Sequence, residues 1–136
     1  MPFVAEDLDA MARTVYGEAR SESFLGQAAV GFVIRNRAAK GGWWGKTIKA
    51  VCYAPKQFSC HNPTDPNRRR CRQAKATDPA FQSSLAAAAA VLAGLIEDPT
   101  GGATHYHATS IPPPAWAVGK TPTVTIGAHA FYRDID

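Results

Sequence analysis

The sequence predicts an α+β fold, mostly helical, with a small antiparallel β element near the C-terminus. Two observations carry that expectation. Apolar residues fall at helical spacing through the first third of the chain and again from Phe81. The last third is broken by Pro112, Pro113 and Pro114 and then runs into short β-rich segments. With 136 residues, 46% of them hydrophobic, the chain has one domain's length and enough apolar side chains for one core. Residues 1–136 are therefore expected to form a single domain.

Each element has a local reason. Leu8, Met11, Ala12, Val15, Tyr16 and Ala19 form one stripe, which predicts a helix over about residues 5–20. Ser23 is placed to cap a second helix to about Ala39. Ala28, Val30, Gly31, Val33 and Ile34 make that helix continuously apolar, as a buried central helix would be, and Gly41-Gly42 stops it. Thr47 caps a short helix through Cys52, Pro55 ends it, and a long polar loop is expected from about Lys56 to Thr77. Asp78-Pro79 starts the next helix as an N-cap followed by proline. That helix is expected to reach about Ile96, with Phe81, Leu85, Ala88, Leu92 and Leu95 toward the core. Asp98-Pro99-Thr100-Gly101-Gly102 reads as a turn, Thr104 to Thr109 as extended, and Ile111 to Ala115 as a rigid loop followed by Trp116. Val124–Ile126 and Ala128–Tyr132 read as strands around Gly127.

Charge is uneven. Between Arg35 and Lys75 there are eleven basic residues, and Asp65 is the lone acid. This points to an anionic partner, held through Arg68, Arg69, Arg70 and Arg72. Cys52, Cys60 and Cys71 lack the spacing of a zinc knuckle. A Cys60–Cys71 disulfide would pin the arginine-bearing loop between them, adding about 2–3 kcal/mol. No apolar run is long enough to span a bilayer. Glu6, Asp7 and Asp9 stand where a secretory signal would carry basic and apolar residues, so no signal peptide is expected.

The chemistry centres on Val15-Tyr16-Gly17-Glu18-Ala19-Arg20, which sets one carboxylate at the end of an apolar helix, beside an aromatic ring and a glycine. A carboxyl group in a partly dry pocket can remain a proton donor near neutral pH, as protonating the leaving oxygen of a glycosidic bond requires. The bland alternative is a solvated helix-end glutamate paired with Arg20. Glu22 is expected to point to solvent, and Asp65, Asp78, Glu97 and Asp98 are poor second carboxylates.

Tyr16-Gly17-Glu18-Ala19-Arg20, then Gly26-Gln27-Ala28-Ala29-Val30 running to Asn36-Arg37, resemble the opening of the SleB-type cell-wall hydrolases, the spore cortex-lytic enzymes and their phage and bacterial relatives. The resemblance continues in Gln57-Phe58-Ser59, in Asp98 to Ala103 and the aromatic strand after it, in Trp116, and in Ile126 to Arg133. It implies a lysozyme-like domain that cleaves peptidoglycan glycan strands by lytic transglycosylation, with Glu18 as its one catalytic glutamate and no metal or cofactor. It also implies a sugar groove, for which Gln57, Phe58, Ser59, Tyr106, His107, Trp116 and His129 are the candidates. Ser21, where many members have glycine, and the loop from Ser59 to Asp78 depart from the family pattern.

Two rival classes stay open. His105 and His107 share a strand face and, with His129, suggest a zinc-dependent peptidoglycan amidase or peptidase. The arginine run suggests a basic binding module for cell wall or nucleic acid. No DNA-binding motif surrounds the run, so nucleic acid is not expected. An anionic wall or outer-membrane surface is the preferred partner, and a monomer is expected. The composition fits a phage-type endolysin made in the cytoplasm and released to the wall, and equally a domain of a secreted enzyme.

Overall fold

A computed structural model describes residues 4–135. Five helices precede three strands: α1 Ala5–Ala19, α2 Phe24–Lys40, α3 Ile48–Tyr53, α4 Asn67–Gln73, α5 Pro79–Leu92, β1 His105–Ala108, β2 Val124–Ile126 and β3 His129–Tyr132. The fold is mostly helical with a small antiparallel sheet, as the sequence predicts. Among the described residues no helix is long and apolar enough to cross a membrane.

The caps form where the sequence puts them. Ser23 accepts from the Gly26 N–H, Thr47 from Ala50 and Asp78 from Ala80. Gly41 ends α2 at φ 68°. α1, α2 and α5 pack around one core that includes Met11, Val15, Val30, Ile34 and Val91. Gly31 lets them close up: a Cβ there would stand 3.2 Å from Val91 and 3.3 Å from the Met11 sulfur.

Two expectations need correction. The polar loop from Lys56 to Thr77 contains a 3-10 turn, Ser59–His61, and helix α4. Asp65 starts α4 by accepting from the Asn67 N–H at 2.8 Å, and buried Cys71 anchors it. The last helix ends at Leu92, because Gly94 turns the chain at φ 70° and the Leu95 N–H returns to the Ala90 carbonyl. Leu95 is consequently 75% exposed and has no place in the core.

Asp98 explains the following turn. Its carboxylate accepts from the Thr100 N–H and hydroxyl, the Gly102 N–H and the Asn36 amide. This fastens the chain entering β1 to α2. The strand order is β1-β3-β2, with Tyr106 opposite Phe131 and Ala108 opposite His129. Alternation therefore puts Tyr106, His129 and Phe131 on the face toward the helices. His105, His107 and Tyr132 lie on the other face, packed with Trp116. The three-histidine zinc set is thus not assembled, because His129 and the His105–His107 pair are separated by the sheet.

The structure holds Cys52, Cys60 and Cys71 as buried free thiols, without a Cys60–Cys71 bond. Burial pushes Cys52 up to about 12. Cys60 and Cys71 are neighbours: their mutual hydrogen bond and burial raise Cys60, while the same bond lowers Cys71.

His61 in the 3-10 turn gives a pH prediction. The Thr14 hydroxyl donates to the Ala10 carbonyl at 2.8 Å, so the 2.8 Å contact with His61 has Nε2–H donating to Thr14. Nδ1 is buried without a partner. Burial, with Arg72 and Arg68 nearby, pulls His61 down to about 4. His105 is also at about 4, through burial and then Arg37 and Lys40. The folded chain keeps these rings neutral while the unfolded chain protonates them below about 6.5. Stability is therefore full above about pH 6.5 and is lost as pH falls from there toward 4. Thermal melts by circular dichroism from pH 7 to pH 5 should show a falling Tm, with a shallower slope in His61→Gln.

Candidate active site

The site begins at Gly17. With no side chain, this residue lets the last turn of α1 lie against Cys60 and Cys71, whose sulfurs stand 2.6 and 2.5 Å from where a Cβ would be. The next residue, Glu18, then reaches the Ser59–His61 turn and the sheet together. Its Oε2 accepts from the Cys60 N–H at 3.3 Å and, at 3.5 Å, from the Ser59 hydroxyl. Its Oε1 accepts a 2.6 Å hydrogen bond from the Tyr106 hydroxyl. Glu18 is half-buried, not a solvated partner of Arg20. Arg20 instead donates to the Tyr16 carbonyl and to Asn67.

Tyr106 is held rigidly. It packs on Phe131 and edge-on to His129, with ring centroids 5.0 Å apart in the latter pair. Burial and then Glu18 push its hydroxyl well above the usual phenol range, so it acts as a donor. His129 is 8% exposed, and its Nδ1 has no partner. Burial lowers its pKa, against the pull of Glu22 and Glu18.

Behind these groups lies Arg37, counted in the basic middle of the sequence yet buried. Its Nε donates to the Thr104 carbonyl at 2.7 Å, and Nη1 reaches Gln57 Oε1 at 3.4 Å. The guanidinium stacks over Phe58 and Trp44. Burial lowers its pKa while Tyr106 and Glu18 raise it. With Gln57 Oε1 held by Arg37, the Gln57 NH₂ is left as a donor. A charged residue on so apolar a helix was the available signal for Arg37.

Glu22 was also missed. It does not point to solvent: Oε1 accepts from the Ala128 N–H at 2.9 Å and leaves no room for a Cβ on Gly127. Glu22 thereby ties the α1–α2 connection to the β2–β3 turn beside His129.

The predicted groove residues separate into two groups. Ser59 and Tyr106 donate to Glu18, His129 packs against Tyr106, and Gln57 stands beside Arg37. Phe58 is 2% exposed and packs in the core. His107 and Trp116 lie across the sheet, where the His107 Nε2 pairs with the Tyr132 hydroxyl and Nδ1 with the Ala108 carbonyl. Their contacts build the second small core with Ala117, Ala130, Tyr132 and Ile135. Among the described residues no cluster of three or more His, Cys, Asp or Glu side chains could hold a metal ion.

Comparisons with known proteins bear on the family and the fold. The Cell Wall Hydrolase family model matches residues 21–132. The spore cortex-lytic enzyme of Halalkalibacterium halodurans is 32% identical over 132 residues, covering 92% of this chain and 34% of that protein. Its counterpart from Bacillus cereus is 29% identical over 129 residues, covering 93% and 44%. The chain thus spans less than half the length of these curated relatives. Among solved structures, the catalytic domain of the Bacillus cereus SleB protein aligns with a TM-score of 0.74 at 28% identity, over 97% of this chain and 93% of that one. The catalytic domain of the germination-specific lytic transglycosylase SleB from Bacillus anthracis gives 0.75 at 28%, over 98% and 100%. The family match takes in the Gln57–Ser59 segment, Tyr106 and His129, and begins just past Glu18, which these residues enclose: the chain belongs to the Cell Wall Hydrolase family.

Proposed function

We propose that this chain cleaves the glycan strand of peptidoglycan between N-acetylmuramic acid and N-acetylglucosamine, as a lytic transglycosylase with Glu18 as its catalytic acid and base. The observation that carries this reading is the clamp on Glu18, with Tyr106 on one oxygen and the Cys60 N–H on the other. Family membership and the likeness to a lytic transglycosylase domain support it.

The steps balance without water or a second carboxylate. With Oε1 taken by Tyr106, the longer-bonded Oε2 is the oxygen this mechanism uses for proton transfer. Glu18 gives its proton to the glycosidic oxygen as the bond to C1 breaks, and the substrate's N-acetyl group stabilises the developing cation. Glu18 then removes the proton of the C6 hydroxyl, whose oxygen bonds to C1. The product is a 1,6-anhydro end, and Glu18 is again protonated. Glu22 is occupied by the β2–β3 turn, which fits a mechanism with one carboxylate. Gln57, Ser59 and His129 line the sugar groove, with peptidoglycan as the partner.

Two results test this. Purified cell walls should release soluble glycan fragments with intact peptide stems, equally well in a strong chelator; cleaved stems would contradict the reading and favour an amidase. Tyr106→Phe should lose a charge-assisted hydrogen bond of about 1.5–3 kcal/mol, slowing turnover about tenfold to a hundredfold. A Tyr106→Phe enzyme with unchanged turnover would remove Tyr106 from the machinery.

A further inference from the structure

The arginine run is not one patch. α4 is helical, so Arg68 and Arg72 share the side near His61, whose charge both oppose. Arg69 and Arg70 instead border an open surface depression of about 610 Å³, lined also by Tyr16, Asn67, Gln73 and Asp78. Among the described residues neither arginine has an ion-pair partner. The one acid on the wall, Asp78, is engaged as the α5 cap. Asn67 Oδ1 accepts from Arg20 at 2.9 Å, which leaves its NH₂ as a donor. The depression therefore offers two guanidiniums and amide donors beside Tyr16, whose ring is covered by Arg20, and little to attract a cation. That donor set suits a carboxylate.

The depression lies across α1 from Glu18. Tyr16 and Glu18 flank Gly17 on α1, about 3 Å apart along the helix axis and on opposite sides of it. α4 packs on α1 and on the Ser59–His61 turn that holds Glu18. Going from Glu18 to the depression means passing one helix, about 10 Å across. An extended peptide of three or four residues covers about 10–14 Å.

We propose that Arg69 and Arg70, with Asn67, form a subsite for the free carboxylates of the peptide stem carried by the glycan under cleavage. This rests on the glycosidase reading above and extends it to substrate selection. A neighbouring pair of exposed arginines with amide donors beside it fits a carboxylate on a flexible peptide, whereas the divided run could not meet a flat anionic surface with all its charges at once.

The test uses a synthetic stem tetrapeptide with free carboxylates, its carboxamide counterpart, and two glycan preparations, one stem-bearing and one stripped of stems by an amidase. Isothermal titration should show the free-carboxylate peptide binding about tenfold or more tightly than the carboxamide, a preference that Arg69→Ala/Arg70→Ala erases. In the same variant the ratio of rates on stem-bearing to stripped strands should fall about tenfold. Both arginines are exposed, and a matching Tm confirms that the variant folds. Equal affinity for the two peptides, an unmoved rate ratio, or stronger binding of inorganic phosphate or anionic vesicles at Arg69 and Arg70 would overturn the subsite. If the wild type cleaves neither strand, the glycosidase reading fails, while the peptide titration still decides whether the depression binds carboxylates.

Discussion

Glu18→Gln is expected to reduce glycan cleavage by about a thousandfold or more while the protein stays folded. The amide has the shape of the carboxyl group, and its oxygen can still accept from Tyr106. It cannot deliver a proton to the glycosidic oxygen or take one from the C6 hydroxyl. General acid–base catalysis supplies about a hundredfold to ten-thousandfold for each such group, and here one residue performs both transfers in turn. Activity and folding separate because Glu18 is half-buried at the helix end and contributes nothing to the apolar core. Turnover of purified peptidoglycan, measured beside a thermal melt, checks both halves. Strong residual activity in pure protein would move the chemistry to another group.

Gly17→Ala has the second large effect, and it acts through packing. An added methyl would lie 2.5 Å from the Cys71 sulfur and 2.6 Å from both the Cys60 Cβ and sulfur. Alanine gains about 0.5–1 kcal/mol over glycine within a helix, but overpacking of this kind costs about 1–3 kcal/mol. The net expectation is a Tm lower by about 3–8 °C. Activity should fall as well, because the Ser59–His61 turn cannot retreat without moving the Cys60 N–H away from Glu18. Adding Cys71→Ala to Gly17→Ala removes one of the clashing atoms and should restore part of both. Unchanged Tm and turnover in Gly17→Ala would show that the turn is free to move and does not position Glu18.

Gly17 also shows how much of the site can be read from the chain. Glycine beside a glutamate at the end of an apolar helix is visible locally, as are the Ser23, Thr47 and Asp78 caps, because each depends on neighbours within a few residues. The groove face was harder. Strand alternation places Tyr106 and His107 on opposite faces, but which face meets the helices depends on packing against α1 and α2. His107 and Trp116, named as groove candidates, lie on the face away from Glu18 for that reason. Phe58 has an aromatic ring suited to either a sugar or a core, and only the position of Arg37 behind it shows the core. Glu22 and Arg37 were missed because their partners, Ala128, Thr104 and Gln57, are distant in sequence. α4 was hidden by its composition: four arginines and a buried cysteine give no apolar stripe, and the helix is held by its contact with α1 and the Arg13 bonds to the Cys71, Arg72 and Ala74 carbonyls.

The most direct test of the central claim is mass spectrometry of the soluble fragments released from purified peptidoglycan by the wild-type protein and by Glu18→Gln. Fragments one water lighter than those with a free reducing end, absent with the mutant, are the expected result. Reducing-end fragments from the wild type would contradict an internal C6-hydroxyl attack and require a positioned water, and fragments of either kind from Glu18→Gln would contradict the role given to Glu18.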